Sequence, residues 1–235
     1  MIPLDRKPLI FNKISSGIDF LDLLLGGGYD SDVVTTIYGP SGTGKTNLCL
    51  LAMIRMAGTG KKIVFIDTEG GIAVDRVQQI TKHYEEVLKR VIFFQPVNFN
   101  EQDQVIESLR SLINEKIGLI IVDSIAMLYR LELGQSEDVH EVNSILSRQI
   151  ACLVEIARKW HIPVLVVNQV YADFENKDRI KMVGGDLLKY SSKCLLELSR
   201  HDDARKLILR RHRSLPEGLE LKFKIIEKGL IEIKS

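Results

Sequence analysis

The sequence predicts an α/β fold in which a mostly parallel sheet carries helices on both of its faces. Short, continuously apolar segments rich in β-branched residues alternate along the chain with longer segments of helical apolar period. Continuous apolar character is typical of strands that are buried on both faces, as they are in a parallel sheet. With 235 residues, of which 45% are hydrophobic, the chain is long enough to bury the core of one such domain.

We expect one domain over residues 1–235, in which residues 1–30 form a lead-in segment packed on the core. Buried strands are predicted over residues 33–38, 63–67, 91–95, 119–123 and 163–168. Amphipathic helices are predicted over residues 46–54, 74–89, 102–115 and 139–160. Near the end of the chain, shorter strands separated by turns are predicted over residues 194–199, 206–211, 221–226 and 230–233. We expect these last strands to form antiparallel hairpins that finish the sheet.

Composition limits the partners and the location of the protein. The formal net charge is only +1, so any surface that binds nucleic acid must be local. Cys49, Cys152 and Cys194 lie far apart in apolar segments, which predicts buried free thiols and a reducing cytosol. The sequence shows neither a signal-peptide pattern nor an apolar run of about eighteen residues. We therefore expect a cytoplasmic protein without membrane contact.

A glycine-rich segment after the first predicted strand carries the most specific motif of the chain. Its residues are Gly39, Pro40, Ser41, Gly42, Thr43, Gly44, Lys45 and Thr46, which match G-x-x-x-x-G-K-[ST]. In this motif the backbone N–H groups surround nucleotide phosphates, the lysine reaches the β- and γ-phosphates, and the hydroxyl holds Mg²⁺. A flexible turn is the alternative interpretation. A dinucleotide loop is disfavoured because the glycines do not follow G-x-G-x-x-G.

Polar residues end three further predicted strands, where ligands bind in open α/β sheets. Asp123 follows four apolar residues and could orient Mg²⁺. Glu69, in the sequence Asp67-Thr68-Glu69, could hold and deprotonate the water that attacks the γ-phosphate, although Asp67 is an alternative. Gln169 could sense the γ-phosphate, or it could simply cap the strand.

The order of these motifs resembles the RecA/RadA recombinase family over nearly the whole chain. The resemblance rests on residues 14–28, 39–46, 67–70, 119–124, 168–170, 184–186 and 214–217. It implies a RecA-like P-loop ATPase core that uses ATP and Mg²⁺. It also implies that Glu69 is the catalytic carboxylate, that Gln169 is the γ-phosphate sensor and that Arg76 lies near the adenine.

Departures from the family pattern point to a short archaeal paralogue that consists of the ATPase core. The segment Phe11-Asn12-Lys13-Ile14 lacks the alanine of the Phe-x-x-Ala motif that docks on the next subunit. The first DNA loop, expected over residues 130–138, holds one arginine and three acidic residues, and the second, over residues 171–184, is short. We expect small homo-oligomers in place of autonomous filaments.

A basic segment near the end of the chain indicates local contact with DNA. Residues 200–213 hold six Arg or Lys residues and two aspartates. We expect Arg210, Arg211 and Arg213, with the 171–184 loop, to follow the phosphates of single-stranded DNA without regard to sequence. Two alternatives are charges that protect a sheet edge from aggregation and contacts to a neighbouring subunit's nucleotide.

The resulting hypothesis is a weakly hydrolysing ATPase that binds DNA and assists a RadA-type recombinase in repair by homologous recombination. Three alternatives are a full strand-exchange recombinase, a RecA-fold ATPase that acts on a protein client, and a nucleotide-gated scaffold without turnover. Binding of DNA discriminates the protein-client hypothesis from the others.

Overall fold

A computed structural model describes residues 12–71, 74–172, 180–182 and 185–234 of the chain. Its strands are β1 (Lys13–Ile14), β2 (Tyr29–Asp30), β3 (Val34–Gly39), β4 (Lys62–Asp67), β5 (Val91–Phe94), β6 (Ile117–Asp123), β7 (Val164–Ala172), β8 (Ile180–Met182), β9 (Cys194–His201), β10 (Ala204–Arg211), β11 (Glu220–Ile226) and β12 (Gly229–Ile233). Its helices are α1 (Asp19–Leu24), α2 (Lys45–Ala57), α3 (Val74–Ile80), α4 (Tyr84–Leu88), α5 (Phe99–Leu112), α6 (Met127–Gln135), α7 (Val139–Trp160) and α8 (Gly185–Ser191).

One large sheet organises the described residues, and it confirms the predicted fold class. Its strand order is β12-β11-β10-β9-β3-β7-β6-β4-β5, with β8 paired to the far end of β7. The six strands from β9 to β5 are parallel to one another, whereas β10, β11 and β12 are antiparallel. The predicted hairpins therefore finish the sheet, except that β9 joins it in parallel beside β3.

Successive side chains of the central strands point to opposite faces of the sheet and pack in two separate hydrophobic clusters. Ile63 and Phe65 pack with α1 and α2 on one face of the sheet, and Val64 and Ile66 pack with α5 and α7 on the other. All four side chains are fully buried. This two-sided burial explains the continuous apolar sequence of β4, because neither face of the strand contacts water.

The lead-in segment packs on the first of these clusters through its apolar residues. Leu21, Leu25 and Tyr29 are buried there, and β1 pairs with β2 in a small separate ribbon. Residues 1–11 of the predicted lead-in lie outside the described part of the chain.

Two predicted helices differ from the structure for local reasons. The helix expected over residues 74–89 is broken into α3 and α4, where the Thr81 hydroxyl accepts the His83 N–H at 3.2 Å and competes with helical hydrogen bonding. Helix α5 begins earlier than predicted because the Asn98 side chain caps it by accepting the Glu101 N–H.

The prediction of a first DNA loop over residues 130–138 was wrong, because most of these residues belong to α6. Tyr129 anchors this helix: its ring lies edge-on to Phe99, with centroids 5.9 Å apart, and its hydroxyl donates to Asn143 at 2.7 Å. In the second expected loop, β7 and β8 pair from Val170 to Met182, and residues 173–179 and 183–184 lie outside the described part of the chain.

Two expectations from composition concern the cysteines and the membrane. Cys49, Cys152 and Cys194 are free and buried, as predicted. Burial raises the pKa of the Cys152 thiol to about 11 and that of Cys194 to about 12. None of the helices in the described ranges is long and apolar enough to cross a membrane.

Candidate nucleotide site

The glycine-rich loop lies between the end of β3 and the start of α2, at the carboxyl edge of the parallel strands. Gly39, Gly42 and Gly44 have φ values of +154°, +72° and +102°, which side chains rarely adopt. A Cβ atom on Gly39 would lie 2.1 Å from the Leu198 carbonyl oxygen of β9. The sequence therefore needs glycine at this position, because β9 passes directly against the loop.

Lys45 is the first residue of α2, and its side chain folds back over the loop. Its Nζ donates to the carbonyl oxygens of Gly39 and Pro40, both at 2.9 Å. Burial lowers the pKa of Lys45, while the nearby carboxylates of Glu69 and Asp123 oppose that shift. The Thr43 hydroxyl also donates to the Pro40 carbonyl at 2.9 Å, whereas Ser41 is exposed.

Thr46 and Asp123 meet next to Lys45. The Thr46 hydroxyl donates to Asp123 Oδ2 at 2.7 Å, which joins the start of α2 to the end of β6. Burial raises the pKa of Asp123 to about 6, helped by the charges of Glu69 and Asp67 and opposed by the Thr46 hydrogen bond. A hydroxyl and a carboxylate are the hard oxygen ligands that Mg²⁺ prefers, so the residues present fit that ion.

Glu69 and Gln169 contact each other across the mouth of the site. Gln169 Nε2 donates to Glu69 Oε1 at 2.8 Å. The Asp67 carboxylate instead accepts the N–H groups of Glu69 and Gly71, at 3.2 and 3.3 Å, and so shapes the turn after β4. Strand register brings these residues together, because Gly39 pairs with Gln169 and Asp67 pairs with Asp123.

Arg76 projects from α3 and bridges three elements beside the loop. Its Nε donates to Asn47 Oδ1 at 2.8 Å, next to Thr46 in α2. Its other nitrogens donate to the carbonyl oxygens of Ile226 and Glu227, in the β11–β12 turn, at 2.9 and 2.8 Å. Arg76 therefore lies at the edge of the loop, and its contact with adenine stays a prediction.

Arg200 and Arg205, at the β9–β10 turn, are contacts of the loop that the sequence analysis missed. Arg205 Nε donates to the Gly42 carbonyl oxygen at 3.1 Å. The Arg200 guanidinium lies 2.5 Å from the place where a Cβ on Gly42 would be. Both residues belong to the basic segment of residues 200–213, but only the pairing of β9 with β3 reveals that the turn of this hairpin covers the loop.

The three arginines expected to contact DNA have other partners. Arg210 forms a two-point ion pair with Glu197, at 2.8 and 3.0 Å, and Tyr38 donates to the same carboxylate at 2.9 Å. Arg213 pairs with Asp32 at 2.6 Å. Arg211 donates to the carbonyl oxygen of Lys189 at 2.5 Å. Binding of DNA by Arg210 or Arg213 would therefore compete with an existing ion pair.

The fold and the glycine-rich loop together define a protein of the RecA-like class of α/β folds. The chain belongs to the Rad51 family, since the family model described as Rad51 matches residues 5–233. This match confirms the resemblance to the RecA/RadA recombinases.

Several similar proteins carry the name "DNA repair and recombination protein RadB". The protein of that name from Methanococcus maripaludis is 41% identical over 89% of this chain and 96% of its own length. The one from Methanobrevibacter smithii is 38% identical over 90% of this chain and 92% of its own length.

A solved structure titled "Crystal structure of the RadB recombinase" superposes with a TM-score of 0.82. It is 39% identical in sequence and covers 94% of this chain and all of its own. The short archaeal branch that the sequence resembles is therefore RadB.

Proposed function

We propose that this chain binds ATP and Mg²⁺ at residues 39–46, hydrolyses ATP weakly, binds DNA and assists a RadA-type recombinase in recombinational repair. The observation that carries the proposal is the convergence of Lys45, the Thr46–Asp123 pair and the Glu69–Gln169 pair at one edge of the sheet. The role in repair and recombination is supported by the names of the RadB relatives.

The proposed roles follow from the chemistry of each side chain. Lys45 supplies an ammonium group to the β- and γ-phosphates, and Thr46 and Asp123 supply oxygens to Mg²⁺. When bound, that ion neutralises negative charge that develops on the phosphates. Glu69 accepts the proton of the attacking water. Gln169 belongs to β7 and donates a hydrogen bond to Glu69, so it connects this base to that strand.

Substitution of Glu69 tests the assignment of the base. Glu69→Gln should keep ATP bound but slow cleavage, because it removes the proton acceptor and hardly changes the phosphate contacts; we expect a loss of about 10²-fold or more. Phosphate release and binding of a fluorescent ATP analogue measure the two effects separately. Glu86→Gln, an exposed residue of α4, is the matched control. Hydrolysis at the parental rate by Glu69→Gln would reject the assignment.

Substitution of Lys45 tests the nucleotide site itself. Lys45→Ala should weaken ATP binding, because no other ammonium group donates to the loop carbonyls among the described residues.

Both assays are repeated with single-stranded DNA, which is expected to bind the parent at low salt. Absence of DNA binding by the parent, with ATP binding intact, would favour an ATPase that acts on a protein client.

A further inference from the structure

A groove between the second half of α7 and the end of α8 lies at the amino end of β3. The glycine-rich loop follows the opposite, carboxyl end of the same strand. It consists of two adjoining cavities of about 670 and 370 Å³, which share Val154, Arg158, Ser191 and Lys193. Val33 and Val34, at the start of β3, line its floor. The length of β3 separates this floor from the loop by about 17 Å. The proposed ATP chemistry therefore uses none of the residues of this α7–α8 groove.

The groove is basic, and three of its cations lack a carboxylate partner among the described residues, although Lys159 Nζ lies 5.8 Å from the centre of the Trp160 ring. Arg158, Lys159 and Lys193 are exposed, and within the described ranges no carboxylate forms an ion pair with them. Of the two acidic residues that line the groove, Glu155 pairs with Arg110, which lies outside it, and Asp32 pairs with Arg213, which lines the smaller cavity as well. The positive charge of the groove is therefore not neutralised by its own walls.

An aromatic ring stands at the rim of the same groove. Tyr190, near the end of α8, has 68% of its surface exposed and lines the larger cavity beside Lys159 and Lys193. The preceding residue, Lys189, is exposed as well, and its carbonyl oxygen accepts the Arg211 hydrogen bond that joins α8 to β10. An exposed ring next to cations that have no carboxylate partner is the combination with which proteins bind unstacked bases and the phosphates between them.

We propose that the α7–α8 groove binds single-stranded nucleic acid. The phosphates lie along Arg158, Lys159 and Lys193, and one base stacks on the Tyr190 ring. This inference rests on the proposed binding of DNA and assigns it to a surface other than Arg210, whose guanidinium is committed to Glu197. Binding is indifferent to sequence, because every base presents an aromatic face and the phosphates carry no sequence information.

Neutralisation of two groove cations tests the electrostatic part of the proposal. The double variant Arg158→Gln, Lys193→Gln should bind fluorescein-labelled oligo-dT about tenfold more weakly at low salt. The slope of log affinity against log salt should fall by about 1.4, since each lost phosphate contact of a single strand removes about 0.7. Lys82→Gln with Lys89→Gln, two exposed lysines near α4, removes equal charge elsewhere and should leave both quantities unchanged.

Tyr190 tests the stacking part independently of charge. Tyr190→Ala should lower the affinity about fivefold or more without changing the salt slope, because it removes a stacking surface and no cation. Tyr190→Phe keeps the ring and should restore the parental affinity. Ultraviolet cross-linking of oligo-dT, followed by mass spectrometry, should identify the peptide that contains Tyr190 in the parent protein.

The outcomes separate this inference from the proposed function. If the parent binds oligo-dT and the groove variants bind it equally well, the groove is not the site, whereas the proposed function stands. Such a result would favour an acidic protein segment as the ligand of the groove. If the parent binds no DNA although it binds ATP, the DNA-binding part of the proposed function fails, and the groove proposal fails with it.

Discussion

At the scale of single residues, Gly42 links the glycine-rich loop to the basic hairpin. The Arg205 guanidinium donates to its carbonyl oxygen, and the Arg200 guanidinium fills the space that a side chain at position 42 would need. Two positive charges therefore lie against the back of a loop that is proposed to hold phosphates. Charges so close to an anion strengthen its binding, although solvent screens much of the effect at an exposed site.

Arg205 should therefore contribute to ATP affinity from within the same chain. Arg205→Gln is expected to raise the Kd for ATP about fivefold, because it removes a charge and a loop contact. Arg205→Lys keeps the charge and should recover most of the affinity. Titration of a fluorescent ATP analogue at two salt concentrations measures this, with Arg90→Gln, an exposed arginine beside β5, as control. Equal affinities of parent and Arg205→Gln would contradict the prediction.

Asp123 should destabilise the protein in the absence of nucleotide. Its pKa is raised to about 6 in the fold, so the folded state prefers the protonated carboxyl. The stability that this preference contributes is present below about pH 4 and is lost as pH rises through about 6. Ionised Asp123 at neutral pH then costs at most about 3 kcal/mol.

Asp123→Asn should accordingly raise the melting temperature at pH 7.5, and the gain should shrink as pH falls towards 4. Adding Mg²⁺ and ATP should reverse the order, because the parent gains stability by binding and Asp123→Asn replaces a negatively charged carboxylate with a neutral amide, which binds Mg²⁺ more weakly. Thermal unfolding over a pH series, with and without nucleotide, provides both readings. A gain independent of pH would show that the charge of Asp123 is not its cause.

At the scale of elements, buried Asp30 attaches the β1–β2 ribbon to the end of β10. Its carboxylate lies 3.5 Å from Lys13 Nζ, 3.3 Å from His212 Nε2 and 3.1 Å from Arg213 Nε. Burial alone would raise the pKa of Asp30, but the close contacts with His212 and Arg213 and the Lys13 charge hold it well below its usual range. The ionised form is therefore the one that the fold stabilises.

Asp30→Asn should cost about 3 kcal/mol of stability at pH 7, because it removes the buried carboxylate that Lys13, His212 and Arg213 contact. Since the pKa is lowered in the fold, the contribution of Asp30 is present above about pH 4 and is lost as pH falls below that value. Chemical denaturation at several pH values measures it. Asp32→Asn, which removes a more exposed partner of Arg213, should cost less than about 1 kcal/mol. Similar losses in the two variants would argue against a special role for Asp30.

At the scale of the whole molecule, the segment that takes the place of the docking motif but lacks its alanine pairs within the chain. Lys13 and Ile14 pair with Asp30 and Tyr29, and the Asn12 carbonyl oxygen accepts the Ser31 N–H at 3.0 Å. The described part of this segment is therefore paired with β2 of the same chain. This contact supports the expectation of small homo-oligomers, which stays a prediction.

Light scattering and electron microscopy of the protein with ATP but without DNA should therefore show monomers or small oligomers. The expected result is a mass that stays within a few copies of the chain over a range of protein concentration. Long, regular filaments formed by the protein alone would contradict this prediction and would favour the strand-exchange hypothesis.

Much of the site was predictable because it depends on residues at fixed, short spacings in the sequence. The loop needs glycines where φ is positive, and Lys45 and Thr46 must follow at fixed distances at the start of α2. Asp123 and Glu69 were predictable because each follows a continuously apolar strand, and parallel strands end at one common edge.

Contacts between distant segments were less accessible to sequence reasoning. The basic residues of 200–213 were visible, but their partners depend on register: β9 lies beside β3, so Arg200 and Arg205 reach Gly42, whereas Arg210 faces Glu197. Helix α6 was missed because its short apolar pattern resembles a loop until Tyr129 packs on α5.

The sequence by itself determined the fold class, the family and the position of the nucleotide motif, because hydrophobic period and glycine spacing are local properties of the chain. Only the tertiary structure decided which cationic side chains form ion pairs and which have no acidic partner among the described residues. Arg210 and Arg213 are paired with carboxylates from other strands and from the loop after β2, while Arg158 and Lys193 come together from α7 and the start of β9 without an acidic partner among the described residues. Charge in a sequence is counted by residue type, but its use depends on which groups the fold brings within a few ångströms.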